Sequence, residues 1–441
     1  MTTGARCGVN VATRCACFLL GLAVVSSPAL AIAGPSLQAI ADTSVGYTDN
    51  LESAPNTSVA GLPPKSPGFF ALLSPSLMLA IATPRTSQRL SYTFTYVLVL
   101  NDLGQDSAAN RLDYQAFFDL SPRASMLVNA DVVQSNTDTA SGLGQGALLP
   151  GPTSYLAGTT DELVSVDLAA GWRAWEGVQL LGQTPLSDGA NPQTGSLGGR
   201  LGVEYAWQTN GLGVEARSNY TVIRNSELLD GQPAGPQEQL TNTAVAQFRQ
   251  DLGRHFTGRL EAGAMRVDRL NTRTGFWSPA GAAALGYSND VGELELSYDR
   301  SMTSNPLLGQ YLLVDEARLG GAIPIVRHPE LVLLASCGYQ MGQLLDENDQ
   351  LAAHLNTLLI DVGVRYQATE ALSLGLRYQH AERWSDVTLP PLPLSFTRNT
   401  GILSVTYKFP PDNRMPRQYR APRRVDRTDE IRDGAPDSTA R

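Results

Sequence analysis

Between Leu37 and Phe409 large apolar and polar residues alternate with a period of two, the spacing of a half-buried β-strand. The clearest stretch is Leu90-Ser91-Tyr92-Thr93-Phe94-Thr95-Tyr96-Val97-Leu98-Val99-Leu100, in which every second residue is large and apolar. Leu112, Tyr114, Ala116, Phe118 and Leu120 repeat it against Arg111, Asp113, Gln115 and Asp119. So do Leu294, Leu296 and Tyr298 against Glu293, Glu295, Ser297 and Asp299, and Leu372, Leu374, Leu376 and Tyr378 against Ser373, Gly375, Arg377 and Gln379. About eighteen such segments begin near residues 37, 69, 88, 110, 124, 161, 175, 197, 211, 241, 255, 277, 291, 311, 330, 355, 370 and 396. An even count of strands with one greasy and one wet face predicts an all-β fold: a closed antiparallel transmembrane β-barrel of about 18 strands.

The connections alternate as well. Every second one is short and made of turn residues, as in TPRTSQ (83–88), LSPRA (120–124), WRAWEG (172–177), QTNG (208–211), LGRH (252–255), SNDVG (288–292) and QATEA (367–371). Only the one through Pro324 to Pro329 reads as somewhat longer. The intervening connections are mostly longer and rich in Gly, Pro, Asn, Ser and Asp: Thr48 to Pro67, Ser135 to Thr160, Ser187 to Ser196, Arg224 to Gln239, Gln343 to Ala353 and Glu382 to Pro393. Short periplasmic turns, long extracellular loops and two periplasmic termini are the asymmetry expected of a barrel in the outer membrane of a Gram-negative bacterium. Closure has a physical cause. Hydrocarbon offers no hydrogen bonds, so an open sheet in lipid would strand two rows of backbone groups. A soluble sandwich also alternates, but its outer face would carry Lys and Glu, and the chain has only two lysines, Lys65 and Lys408.

Composition narrows the class further. The chain has 441 residues, of which 42% are hydrophobic and 17% charged, and no apolar run of about 18 residues lies outside the leader, which excludes a polytopic helical membrane protein. The net charge of -9 argues against a nucleic-acid partner. Residues 1–33 read as a cleaved secretory signal peptide: Arg6 and Arg14 without an acid, an apolar stretch from Cys15 to Val25, and small residues up to Ala31 or Ala33. Cys7, Cys15 and Cys17 leave with it, so the exported chain keeps Cys337 alone, expected to pack in its strand, and has no internal disulfide. Residues 34–409 form the expected barrel. Residues 410–441, with five prolines and eight arginines, read as a disordered periplasmic tail, either solvated or docking a partner through Arg417, Arg420, Arg423, Arg424 and Arg427.

If the apolar face meets lipid, the interior receives Asp113, Asp119, Glu204, Glu215, Arg217, Arg249, Glu261, Glu293, Glu295, Asp299, Asp361, Arg365, Arg377 and Lys408. Barrels of 16 to 18 strands leave an aqueous channel. These residues are therefore candidate pore-lining groups, an acid-rich wall that weakly favours cations, or else simply a set of cross-strand pairs. A long loop folded inward, such as Ser135 to Thr160 with its GLGQG run at Gly142 to Gly146, is the candidate constriction. Tyr47, Tyr96, Trp172, Trp175, Trp207, Tyr298, Tyr339, Tyr366, Tyr378 and Tyr407 fit belts at the membrane interfaces. No catalytic constellation, metal site or cofactor is expected. His255, His328, His354 and His380 lie on separate turns and strand ends, no HExxH, paired CxxC or GxSxG occurs, and GSLGGRLG (195–202) lacks the strand-to-helix setting of a phosphate loop.

Two segments carry a resemblance. The last strand, Gly401 to Phe409, sets Leu403, Val405, Tyr407 and Phe409 on one face and resembles the signal by which the barrel assembly machinery recognises its substrates, although here Phe409 is not the terminus. The segment from Ser44 to Tyr96, SVGYTDNLESAP and then LLSPSLMLAIATPRTSQRLSYTFTY, resembles the beta-barrel porin type 2 family and is similar at a distance to 18-stranded myxobacterial barrels. That resemblance implies an outer-membrane exit for a secreted exopolysaccharide, fed by a periplasmic polysaccharide export protein. The alternative is a general diffusion porin for small hydrophilic solutes, and the third reading is a receptor or structural barrel with a plugged lumen.

Overall fold

The computed structural model describes residues 35–51, 65–100, 107–136, 154–186, 193–224, 236–289, 292–305, 310–325, 328–345, 351–385 and 395–410. The leader, the tail beyond Pro410 and the GLGQG run lie outside them. Eighteen strands follow in chain order. The first nine are β1 (Ser36–Thr48), β2 (Gly68–Ala82), β3 (Thr86–Val99), β4 (Ser107–Ser121), β5 (Ala124–Asn136), β6 (Ser154–Ala169), β7 (Trp172–Pro185), β8 (Gln193–Trp207) and β9 (Asn210–Arg224). Then come β10 (Gln237–Asp251), β11 (Phe256–Arg269), β12 (Thr274–Asn289), β13 (Gly292–Asn305), β14 (Gln310–Ile325), β15 (His328–Leu345), β16 (Leu351–Gln367), β17 (Leu372–Ser385) and β18 (Phe396–Phe409).

Each strand pairs antiparallel with its sequence neighbours, and β1 also pairs β18 from Ala39↔Phe409 to Thr48↔Thr400, so the sheet closes on itself. One rim carries the tight turns and the two ends of the barrel chain. The other, the loop rim, carries the longer connections, apart from the four-residue connections 270–273 between β11 and β12 and 306–309 between β13 and β14. β6 begins at Ser154 and β10 at Gln237, so parts of the expected loops 135–160 and 224–239 are strand. The connection expected to be longer, through Pro324 to Pro329, is shorter than that. β14 runs to Ile325 and β15 starts at His328, with a register shift between Pro324 and Ile325. Proline has no N–H to give the ladder, so both prolines sit where pairing ends.

The period of two sorts the side chains into faces. Leu37, Val45, Leu73, Leu77, Leu201, Leu212, Val214, Leu260, Leu296, Leu376 and Leu403 stand exposed on the convex face. Nine of the ten aromatics expected in the belts share it, each exposed. Trp175 does not. It is 4% exposed on the concave face, its indole Nε1 donating to Glu215 at 2.8 Å, because it occupies the opposite parity from Trp172. Cys337 corrects a second expectation: it is exposed on the convex face, not packed.

The barrel seam between β1 and β18 is stitched at the loop rim by Thr48-Asp49-Asn50. Asp49 donates its N–H to Asn399 O at 3.1 Å and its carboxylate accepts from Asn399 N and Nδ2, each at 2.8 Å. Asn50 Nδ2 donates to Thr397 O, and the hydroxyls of Thr48 and Thr400 meet at 3.2 Å. Burial works against the Asp49 charge, but the hydrogen bonds from Asn399 and Lys65 outweigh it and hold the carboxyl below its ordinary value. Pro75 interrupts the β2–β3 pairing, and Ser74 to Thr95 and Ser76 to Thr93 bridge the gap with hydroxyl bonds at 3.2 and 2.8 Å. The residues that carry the family resemblance thus close and reinforce the first two strands.

Candidate functional site: the inner wall and its mouth

All fourteen sequence-predicted pore residues occupy concave positions, because register places each opposite another residue of the same face: Glu204 faces Gly213, Glu215 faces Val245, Arg217 faces Thr243, and Asp361 faces Gln379. Side chains two strands apart touch there. Arg217 of β9 reaches Glu261 of β11 at 2.8 Å, and Arg200 of β8 reaches Asp161 of β6 at 3.0 Å. Strands two apart lie about 9.6 Å from one another, and only inward curvature lets such side chains converge.

The structure gathers some of these groups and leaves others apart. Glu215, Arg217 and Glu261 form one ladder, which Arg259 completes by binding Glu261. Arg249 pairs with Glu204 at 3.2 Å, and Arg377 with Asp361, which also accepts from Gln379 Nε2 at 2.8 Å. Asp113 joins Arg111 at 3.0 Å, and Arg111 also holds Asp131 at 2.8 Å. Arg111, Asp131, Asp161, Arg200 and Arg259 were not among the candidates, although the same parity rule reaches each of them. Glu204, Glu215 and Glu261 are buried, so their arginines supply the charge compensation that a desolvated carboxylate requires. Gly202 and Gly211 make the room: a Cβ on the first would overlap the Trp175 indole, and on the second the Glu204 carboxylate. Glu295 and Asp299 on β13 form no ion pair among the described residues. Arg365 and Lys408 lie on β16 and β18, away from these ladders, and Asp119 lies near the turn rim.

Spacing of about 4.8 Å and a tilt of about 40° give a circular barrel of eighteen strands a backbone diameter of about 35 Å. In so wide a barrel the inner wall stays exposed unless something covers it. Ile223, Val245, Met265, Val267 and Ala280 are nonetheless buried on the inner faces of β9 to β12. The cover is the end of the β13–β14 hairpin. β12 and β13 pair only from Asn289↔Gly292 to Gly281↔Arg300, whereas β13 stays paired to β14 up to Asn305↔Gln310. Beyond Arg300 the hairpin leaves β12 and turns into the barrel. Leu313 joins the cluster of Val245, Met265, Val267 and Ala280, with Met302 and Phe276 packed against it. The Tyr311 hydroxyl donates to the backbone of β9 and β10, at 3.2 Å to Thr221 O and 3.3 Å to Gln237 O. Tyr311, Leu312, Leu313 and Val314 are all buried, so this strand end is covered on both faces. Arg269 of β11 meets Leu345 O at the end of β15, 3.5 Å away, which brings a third hairpin arm across the mouth. The loop expected to narrow the barrel, 135–160, contributes β5 and β6 ends, and its residues 137–153 lie outside the described ones.

The histidines stay apart. His255 contacts Ser288 O, His328 contacts Glu330 two residues along β15, and His380 contacts Asn399 across the β17–β18 pair, and no cluster of metal-ligating residues occurs among the described residues.

No family model matches the sequence, and no curated protein matches it. The likeness of Ser44 to Tyr96 to the beta-barrel porin type 2 family therefore stays a resemblance. Solved structures similar in fold include Pseudomonas aeruginosa OccK2 (OpdF) in complex with glucuronate, 12% identical over 85% of this chain and 98% of that chain, with a TM-score of 0.44. Pseudomonas aeruginosa OpdK with vanillate is 11% identical over 85% and 98%, with a TM-score of 0.42. The ferric-catecholate import receptor Fiu of E. coli K12 is 10% identical over 85% and 82%, with a TM-score of 0.41.

Proposed function

We propose that this protein is an outer-membrane channel for small hydrophilic solutes, with both ends of its barrel chain on the periplasmic side. The observation that carries the reading is the division of a closed eighteen-strand sheet into an exposed apolar convex face with aromatic belts and a charged, ion-paired concave face. Closure of β1 on β18 removes the two long open edges that lipid could not satisfy, and a polar interior of this width holds water. The mouth crossed by the β13–β14 end supports small solutes over a polymer. Passage of an exopolysaccharide with a periplasmic export protein is what the family resemblance implies, and the hairpin end seated on the inner wall at the mouth weighs against it.

Recombinant barrel in planar bilayers should conduct, with a modest preference for potassium over chloride. Glu295→Gln with Asp299→Asn should lower that preference about twofold, and less at high salt, where exposed charges are screened. Liposomes carrying the protein should swell in glucose and not in dextran. A barrel that passes no ions sinks the channel reading, and one that passes dextran restores the polymer.

A further inference from the structure

The end of the β13–β14 hairpin leaves two vacancies that fit each other. Above Gly281 the free edge of β12 runs through Ala280, Pro279 and Ser278 without a partner strand on that side, and β13 beyond Arg300 runs through Ser301, Met302 and Thr303 without a partner on its own. Extending the existing register by three steps would set Ala280 opposite Ser301, Pro279 opposite Met302 and Ser278 opposite Thr303. Parity agrees with that pairing. Met302 lies in phase with Leu294, Leu296 and Tyr298 of the convex face, and Leu313 in phase with Leu319 of its own strand, yet both are packed on the inner wall instead. The departure point is marked by a compact polar group: Arg300 pairs with Asp315 at 3.0 Å, and the Tyr298 hydroxyl donates to the same carboxylate at 2.6 Å. Pro279 sits in the unpaired stretch, where a missing N–H costs least.

We propose that the two strand ends of the β13–β14 hairpin, residues 301–305 and 310–314, are a gate with two seats: docked on the inner wall of β9 to β12, where they narrow the mouth, and zipped onto the free edge of β12, where they complete the wall and open the lumen. The proposal rests on the channel reading. The docked seat holds the hairpin through an apolar cluster and the two carbonyls under Tyr311. The zipped seat would replace them with strand hydrogen bonds and lipid contact for Met302 and Leu313. Each seat satisfies the hairpin's apolar face, one against protein and the other against hydrocarbon, and this makes the two comparable. The moving body is short and turns on residues adjoining Arg300 and Asp315, so the remainder of the barrel keeps its register.

Two cysteine pairs in the full chain with Cys337→Ser test this. Val245→Cys with Leu313→Cys locks the docked seat, since both side chains share one cluster. Ser278→Cys with Thr303→Cys captures the zipped seat. The gate predicts that the second pair cross-links under mild oxidant in native membranes. It also predicts that the zipped lock raises single-channel conductance at least twofold, and that the docked lock abolishes openings to that level until reductant is added. A zipped pair that never cross-links while the docked pair does, or conductance identical in the two locked and reduced forms, overturns the gate. Absence of any conductance in all forms overturns the channel reading instead. Folding of each variant is read independently from its heat-shifted mobility on gels.

Discussion

Two neighbouring-strand contacts in this barrel behave in opposite ways. β1 and β18 come from the two ends of the barrel chain and yet pair along nearly the whole of β1, up to Thr48↔Thr400. β12 and β13 are joined by a tight turn and yet part at Gly281↔Arg300. Closeness in sequence therefore does not decide which contact stays zipped. At the seam, the rim is clamped by Asp49 and Asn50 on Asn399 and Thr397, and lipid is the only destination for Val45, Leu403 and Val405. At the split, the hairpin end has another place to put its apolar residues, the greasy patch on the adjoining inner wall of β10 to β12. The lesson is that a wide barrel offers its strands two apolar environments, and a strand end apolar on both faces takes the dry one.

The comparison breaks most readily at the dock. Leu313→Asp puts a carboxylate into a cluster with no cation, a cost of several kcal/mol unless the hairpin leaves. The expected result is a barrel still folded, with the fraction of time in the high-conductance level raised more than tenfold, read in single-channel recordings. A variant whose conductance matches the parent protein would show that the patch does not hold the hairpin.

The seam should respond next. Asp49→Asn keeps the shape but removes the charge that accepts from Asn399 and Lys65, with an expected loss of about 1–2 kcal/mol in urea unfolding from detergent or lipid. Because the folded Asp49 carboxyl titrates below its ordinary value, its contribution is complete above about pH 4, the unfolded pKa, and disappears as pH falls through the lower folded value. The gap between parent and variant midpoints should therefore be full at pH 7 and close in acid. A gap that is constant with pH would mean the clamp works by shape alone.

The smallest effect sharpens the picture of the split. Tyr311→Phe removes only the hydroxyl that reaches Thr221 O and Gln237 O, a change of about 1 kcal/mol, and should raise the open fraction about fivefold without moving the urea midpoint of the barrel. An unchanged open fraction would assign the docking to the apolar cluster alone.

Much of this was legible from alternation, and the misses share a cause. Every strand except β6 begins within four residues of its expected position, and β6 begins at Ser154 where the alternation pointed to 161. The fourteen charged candidates fell on one face because parity needs only local sequence. Trp175 was misplaced because it was read as one of the belt aromatics when its parity with Arg173 and Gly177 points it inward. The run Tyr311-Leu312-Leu313-Val314 breaks the alternation, the local signature of a strand end buried on both faces. Which cation meets which carboxylate, as in Arg217 with Glu261, depends on curvature across three strands and has no local signature.

The amino-acid sequence alone determined the strands, their faces and the apolar exterior, since these follow from the two-residue repeat of an extended chain and the cost of exposing polar backbone to hydrocarbon. Only the tertiary structure decided where the wall opens and what fills its mouth. Those outcomes depend on the barrel being wide enough to leave an inner apolar patch uncovered, and on a hairpin long enough to reach it.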